Sequence, residues 1–165
     1  MKKIITTLIV VCLYTCSHPT LVLAQTQIKP SEVRCMADNM YQEARGERTA
    51  GLVAVGQVVL NRVKSKKFPD TVCEVVYQNK VNIYGLTVYQ FSWLGKEDTS
   101  ILRELDRYRF MLDISEGMLN GWYSSIYEGI YFYYACDGDY KIDPPFWAEA
   151  YKLIAKEGNH CFYGY

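Results

Sequence analysis

A run of apolar residues at helical spacing, ending in a carboxylate, most constrains how this 165-residue chain can fold. Apolar side chains recur at i, i+3, i+4 and i+7, the stripe by which a helix packs on a core, at Val33, Met36, Ala37 and Met40. Ser31 is a suitable N-cap, so the pattern predicts a helix from about Ser31 to Arg45. We expect Gly46 to end it, because glycine enters the left-handed conformation without a steric penalty.

Glu43 therefore falls in the last turn of the predicted helix. The helix macrodipole disfavours a negative charge there, and the core behind the helix would partly desolvate the carboxyl group. Both effects raise the pKa of a carboxylic acid, which suits a general acid that must hold a proton near neutral pH. An ordinary solvated Glu at a helix end has the same placement, so the placement alone does not distinguish a catalytic acid.

The remaining pattern predicts a mainly helical α+β domain. A second helix, from Thr49 or Ala50 to Lys64, is apolar nearly all round and hence central, with Gly51 and Gly56 allowing close packing. Next we expect a short helix from Thr71 to Tyr77 capped by Asp70, an irregular or hairpin segment over 79–93, and a helix from about Thr99 to Leu119 stopped by Gly121. An extended segment over 127–134, a turn over 136–139, and a last helix from Phe146 to Lys156, started by Pro145 and closed by Gly158, complete the prediction.

The N-terminus has the pattern of a secretory signal peptide over residues 1–24. Lys2 and Lys3 precede an apolar run from Ile4 to Leu13, and small residues precede Gln25. The run is too short for a stable membrane span of about 20 residues. We expect a short linker over 25–30, a single domain over 31–165, and export to the periplasm, the cell wall or the medium. A lipoprotein site at Cys16 is the alternative.

Composition excludes several function classes. Removing the signal peptide leaves 16 basic and 18 acidic residues, which gives no basic footprint for nucleic acid. The mature chain keeps one histidine, His160, whereas a zinc hydrolase site needs two or three, so we expect neither a metal nor another cofactor. No Gly-x-Ser-x-Gly nucleophile elbow occurs. A mechanism that uses a carboxylate is therefore the one left.

The mature chain also keeps four cysteines. An even set favours disulfides in an oxidising compartment, and four cysteines allow three pairings.

Four separated blocks of sequence resemble the bacterial cell wall hydrolase family that includes the spore-cortex-lytic enzymes. They are Glu43-Ala44-Arg45-Gly46-Glu47 with Asn61-Arg62 downstream, Phe68 to Gln78, Gln90-Phe91-Ser92-Trp93, and the C-terminal Pro144 to Ala148 with Gly158 to Tyr163. The resemblance implies a lysozyme-like domain that cleaves peptidoglycan glycan strands, mostly as a lytic transglycosylase, with Glu43 as the catalytic acid. It also favours the disulfides Cys35–Cys73 and Cys136–Cys161, because each pair lies within one family-like block.

Aromatic and amide side chains are the candidates for binding the glycan. Tyr and Trp match both the apolar faces and the hydroxyl rims of sugars, which points to Trp93, Tyr133 and Tyr134. Gln90 and Ser92 flank Phe91 and would face the cleft together if the segment is extended, while Phe91 packs inward. For Glu47 we expect a structural role, pairing with Arg45 or Arg62 or capping the second helix. Arg45 and Asn61 are expected to hold the motif's geometry.

One departure from the family keeps alternatives open. The chain has Tyr131-Phe132-Tyr133-Tyr134 where relatives commonly carry a Thr-His-Tyr-His-like run. A non-catalytic wall-binding module that has kept the fold is therefore one alternative. The other is a cell wall cysteine endopeptidase with Cys35 as nucleophile and His160 as base. In every case peptidoglycan is the expected partner and a monomer the expected state.

Overall fold

The computed structural model describes residues 27–94, 96, 100–123, 127–137 and 143–165. The predicted signal peptide, the lipoprotein alternative at Cys16 and the first two linker residues lie outside these ranges. The helices are α1 (Pro30–Ala44), α2 (Thr49–Lys64), α3 (Val72–Val76) and α4 (Leu105–Leu119), with 3-10 turns at Ser100–Arg103 and Phe146–Ala150. Within the described ranges, no helix has the length and apolar character needed to cross a membrane.

Two small antiparallel sheets accompany the helices. Strands β1 (Asn79–Val81) and β2 (Thr87–Tyr89) form a hairpin. Strands β3 (Phe132–Ala135), β4 (Lys152–Glu157) and β5 (His160–Gly164) form a second sheet in the order β3-β5-β4, with a register irregularity between Leu153 and Ala155. The predicted mainly helical α+β class is confirmed, and so is the hairpin.

The core lies around α2, which is buried along most of its length as its apolar pattern predicts. Helix α1 packs against α2, α3 and α4. The helices approach closely at Gly56, where an added Cβ would overlap the methyl group of Met40 and come within 2.8 Å of Met118 Sδ. This close approach is the reason for a glycine in the middle of α2.

Three predicted helix ends are wrong in detail. The N-cap of α1 is Lys29, because Pro30, whose fixed φ suits the first helical turn, begins the helix one residue before Ser31. The C-cap residue Arg45 has right-handed helical backbone angles. Gly46 does not have a positive φ, so it does not end the helix in the predicted left-handed conformation. The hydroxyl of Thr71, not Asp70, caps α3 by accepting a hydrogen bond from the Glu74 amide.

The C-terminal predictions contain the largest error. The predicted helix from Phe146 to Lys156 is a single 3-10 turn followed by strand β4, because residues 152–157 pair with β5. The extended segment begins only at Phe132, and the α4 region divides into a 3-10 turn and a helix from Leu105. Of the predicted turn over 136–139, Cys136 and Asp137 are described and the other two residues lie outside the described ranges.

Candidate active site

A pocket of about 260 Å³ opens beside the last turn of α1. Helices α1 and α2, the segment after the hairpin, strand β3 and the 3-10 turn before β4 all contribute to it. The side chains that line it are Glu43, Arg62, Gln90, Phe91, Ser92, Phe132, Tyr133 and Trp147. An ionisable acid thus shares a concave site with a cation, two small polar groups and four aromatic rings.

Glu43 lies in the last turn of α1 as predicted, and its carboxyl group is largely buried. Burial raises its pKa above the ordinary value, while the Tyr133 hydroxyl and the positive charge of Arg62 partly oppose that rise. The direction is the one expected for a group that keeps its proton near neutral pH, because desolvation penalises the charged form.

Tyr133 acts on the Glu43 carboxyl group, and Asn39 acts on Tyr133. The Tyr133 hydroxyl is buried and makes no hydrogen bond of ordinary geometry, although Glu43 and Asn39 both act on its pKa, which burial raises. Asn39 is fully buried, its amide group has no hydrogen-bond partner, and it precedes Glu43 by one helical turn. The sequence prediction missed Asn39, although its i, i+4 spacing from Glu43 was a usable signal.

Arg62 is the cation of the pocket. Its Nε and Nη2 atoms donate to the carbonyl of Tyr131 at 2.9 and 2.7 Å, and its guanidinium lies 5.3 to 5.9 Å from the ring centroids of Phe68, Phe91 and Phe132. Burial lowers its pKa to about 10, so it stays protonated at neutral pH. The sequence predicts Arg62 only as a partner for Glu47, not as a residue of the pocket.

Asn61 holds the chain that leads into β3. Its amide nitrogen donates to the carbonyls of Tyr127 and Ile130 at 3.0 and 2.9 Å, and its amide oxygen accepts from Gln57 at 2.8 Å. Together with Arg62, it fixes the path of residues 127–131 and so the position of Tyr133.

Glu47 contacts the turn between β4 and β5, which the sequence did not predict. Its Oε1 atom accepts a hydrogen bond from the Asn159 amide at 3.1 Å and lies 3.6 Å from His160 Nδ1. The cap of α2 is Arg48, with no side-chain bond, and Arg45 is exposed and lies over the Tyr41 ring. His160 in turn packs edge-on against Tyr133, with ring centroids 5.4 Å apart. The motif's two glutamates therefore contact the same sheet at different points.

The structure separates the predicted glycan-binding residues into two groups. Gln90, Ser92 and Tyr133 line the pocket, and Phe91 is buried between the two polar residues as expected. Trp93 instead packs edge-on against Tyr77, and Tyr134 packs against Trp147 and Tyr163, so neither lines the pocket. Phe132 and Trp147, which were not predicted to bind the glycan, also line the pocket.

Both predicted disulfides are confirmed. Cys35 is bonded to Cys73 and Cys136 to Cys161, with Cα atoms 5.2 and 5.6 Å apart. The cysteine endopeptidase alternative is therefore wrong, because the Cys35 sulfur is committed to a disulfide and offers no thiolate. The other member of that pair, His160, faces Glu47.

Comparison of the sequence with protein-family profiles identifies the family of this mainly helical domain. The profile of the family described as Cell Wall Hydrolase matches residues 46–163, so the chain belongs to the cell wall hydrolase family. The match begins three residues after Glu43.

Similar proteins agree with that assignment. The spore cortex-lytic enzymes of Oceanobacillus iheyensis and Bacillus subtilis are 48% and 42% identical over 48 residues, which is 29% of this chain and 17% and 16% of theirs. The chain thus spans about a sixth of the length of these relatives. The catalytic domain of the germination-specific lytic transglycosylase SleB from Bacillus anthracis has the same fold, with a TM-score of 0.53 and 23% identity over 84% of this chain and 98% of that one. The SleB catalytic domain of Bacillus cereus gives a TM-score of 0.53 at 24% identity, over 84% of this chain and 93% of that one.

Proposed function

We propose that the protein is an exported peptidoglycan-degrading enzyme that cleaves the glycan strand between N-acetylmuramic acid and N-acetylglucosamine. It acts as a lytic transglycosylase, with Glu43 as both acid and base. Membership of the cell wall hydrolase family and the fold shared with SleB catalytic domains support the substrate class. The two disulfides agree with an oxidising location, in the periplasm, the cell wall or the medium. The protein works as a monomer.

One observation favours transglycosylation over hydrolysis. Among the described residues that line the pocket, Glu43 is the only carboxylate. Glycosidases that use water or a covalent intermediate ordinarily need a second carboxylate within roughly 5–9.5 Å of the first. The other glutamate of the motif, Glu47, does not line the pocket, and its carboxylate accepts a hydrogen bond from the Asn159 amide beside His160.

A single acid is enough when the nucleophile belongs to the substrate. Protonated Glu43 donates its proton to the glycosidic oxygen as the bond to the muramoyl anomeric carbon breaks. The resulting carboxylate then takes the proton of the same sugar's 6-hydroxyl, whose oxygen bonds to the anomeric carbon and closes a 1,6-anhydro ring. The proton balance is closed, no water is consumed, and the attack is intramolecular, which gains the advantage of a pre-positioned nucleophile.

The surroundings of Glu43 suit both halves of this cycle. Burial favours the protonated acid before the bond breaks. After donation, the charge of Arg62 and the Tyr133 hydroxyl stabilise the carboxylate, because both lower the pKa of Glu43. The aromatic rings of Phe132 and Trp147 offer apolar surface for the sugar faces beside the reacting bond.

The substitution Glu43→Gln tests this role. Gln keeps the shape of the side chain and lacks the proton that the leaving oxygen needs, and loss of a general acid typically costs about 10²–10⁴-fold in rate. The measurement is clearing of purified peptidoglycan, with circular dichroism as the check of folding. The matched control Glu47→Gln should lose activity only in proportion to its loss of stability.

Two results would contradict the proposal. Undiminished clearing by folded Glu43→Gln protein would remove Glu43 from the mechanism. A Glu47→Gln variant that melts at the wild-type temperature and is inactive would instead indicate a mechanism with two carboxylates.

A further inference from the structure

A second pocket, also of about 260 Å³, lies on the β1–β2 hairpin. Its lining consists of Gln78, Asn79, Lys80, Val88, Tyr89 and Gln90. Gln90 also lines the pocket that contains Glu43, so the two pockets adjoin at this side chain. We call the second one the hairpin pocket.

Strand register places part of this lining on one face of the hairpin. Lys80 is directly opposite Val88, and the Gln90 amide donates to the Gln78 carbonyl at 2.9 Å, which continues the pairing beyond β2. Because side chains alternate along a strand, Gln78, Lys80, Val88 and Gln90 share a face. Thr87 lies on the opposite face together with Asn79 and Tyr89, but unlike them it is not among the residues that line the hairpin pocket. The face that carries Lys80 and Val88 therefore leads directly to Gln90 and the candidate active site.

The chemistry of the hairpin pocket resembles that of a carbohydrate site. It combines amide groups and an ammonium group, which donate hydrogen bonds to hydroxyl and acetamido oxygens, with the exposed apolar side chain of Val88, and Tyr89 adds to the lining from the other face of the hairpin. Val88 is 52% exposed and Tyr89 is 41% exposed. An exposed apolar side chain among convergent polar groups, in a concave site that adjoins the candidate active site, is typical of a binding surface.

We propose that the hairpin pocket is a saccharide subsite that binds a sugar of the same glycan strand, adjoining the sugars held at Glu43. The assignment rests on the proposed function. A glycan strand is a polymer, so it must continue past the reacting bond, and the junction at Gln90 gives it a lined path onto the hairpin. Binding of remote sugars contributes to catalysis when it positions the reacting bond.

The test compares two substitutions of neighbouring exposed residues on opposite faces of β2. Val88→Asp places a charge in the hairpin pocket, whereas Thr87→Asp places the same charge on the other face. Both change a β-forming residue to Asp in the same short strand, so any general weakening of the hairpin is matched. Lys80→Ala is a second variant that leaves the apolar residues of the hairpin in place.

Rates are measured on peptidoglycan strands sorted by length. We expect Val88→Asp to lower kcat/KM about tenfold on long strands, which corresponds to a loss of about 1.4 kcal/mol. We expect it to leave the rate on the shortest cleavable fragments within about twofold of wild type, since these occupy only the sites at Glu43. Lys80→Ala should give a smaller loss with the same length dependence, and Thr87→Asp should give none. Equal losses on long and short strands, or equal losses for Val88→Asp and Thr87→Asp, would overturn the proposal.

Binding distinguishes this proposal from the proposed function. The same substitutions are made in Glu43→Gln protein, and binding to uncleaved long strands is measured. Weaker binding by Val88→Asp alone supports the subsite even if the wild-type protein cleaves nothing, in which case only the proposed function fails. Equal binding by both variants overturns the subsite whether or not the enzyme is active.

Discussion

A methyl group added at Gly158 perturbs the contact between Glu47 and the β4–β5 turn. Gly158 has a φ of +56°, and an added Cβ would overlap Glu47 Oε2 and lie 2.6 Å from Glu47 Cδ. A non-glycine residue in the left-handed region costs about 1–2 kcal/mol. Displacing Glu47 from the Asn159 amide removes a charge-assisted hydrogen bond worth about 1.5 kcal/mol at the low end of its range. Gly158→Ala should therefore lower the free energy of unfolding by about 2.5–3.5 kcal/mol.

Thermal unfolding measures this loss. For a chain of this size, about 4 °C accompanies each kcal/mol, so Gly158→Ala should lower Tm by roughly 10–14 °C. Gly121 has a φ of +78° and open space around an added Cβ, so Gly121→Ala carries the backbone cost alone and should lower Tm by roughly 4–8 °C. Gly46 has neither a positive φ nor an atom within 4 Å of an added Cβ, so Gly46→Ala should not lower Tm. If Gly158→Ala costs no more than Gly121→Ala, Glu47 does not hold this turn.

Three further predictions concern Glu43, Tyr133 and the disulfides. Tyr133→Phe removes a group that lowers the pKa of Glu43, so the alkaline limb of kcat/KM, where Glu43 loses its proton, should move to higher pH. Tyr134→Phe, outside the pocket, is the control, and an unmoved limb in Tyr133→Phe would contradict the assignment. Glu43→Gln should be at least as stable as wild type at neutral pH, because a raised pKa means that the charged form destabilises the folded state; a clear loss in Tm would contradict this. Reduction should remove about 3–4 kcal/mol per disulfide, given loops that span 38 and 25 residues. Free-thiol titration of the denatured, unreduced mature protein, without residues 1–24, should find essentially none, and four thiols would refute both bonds.

The first two helices were predictable because their patterns are local and long. Fifteen and sixteen residues of regular apolar spacing determine α1 and α2, and the same spacing locates Glu43 in a last turn. Gly46 shows the limit of such reasoning. It suggested a left-handed end, yet the helix ends at Ala44, its C-cap Arg45 is right-handed, and the Glu47 amide donates a hydrogen bond to the Ala44 carbonyl.

The C-terminal sheet was not predictable in the same way. Residues 152–157 form a strand because they pair with β5, and β5 pairs in turn with β3, whose residues lie 25 to 31 positions earlier in the chain than their partners. Short apolar segments of this kind are compatible with either a helix or a strand until their partners are known.

The composition of the pocket depends on the same long-range pairing. Tyr133 and Tyr134 are adjacent on β3 and point to opposite sides, so Tyr133 packs with the helical core beside Glu43 whereas Tyr134 packs with Trp147 and Tyr163. Trp147 reaches the pocket from a 3-10 turn whose position depends on the sheet. Sequence reasoning therefore identified the acid and part of its surroundings, while the aromatic lining required the fold.

The measurement that tests the central claim most directly is mass analysis of the fragments released from purified peptidoglycan and then reduced with borohydride. If Glu43 works as the only carboxylate, the fragments should carry 1,6-anhydromuramic ends, lighter than reduced hydrolytic ends by one water and the two hydrogens of reduction. Glu43→Gln protein should release none. Fragments with only reducible muramic ends would contradict the transglycosylase mechanism in favour of a muramidase, reducible glucosamine ends would indicate a glucosaminidase, and no soluble product at all would leave a wall-binding module.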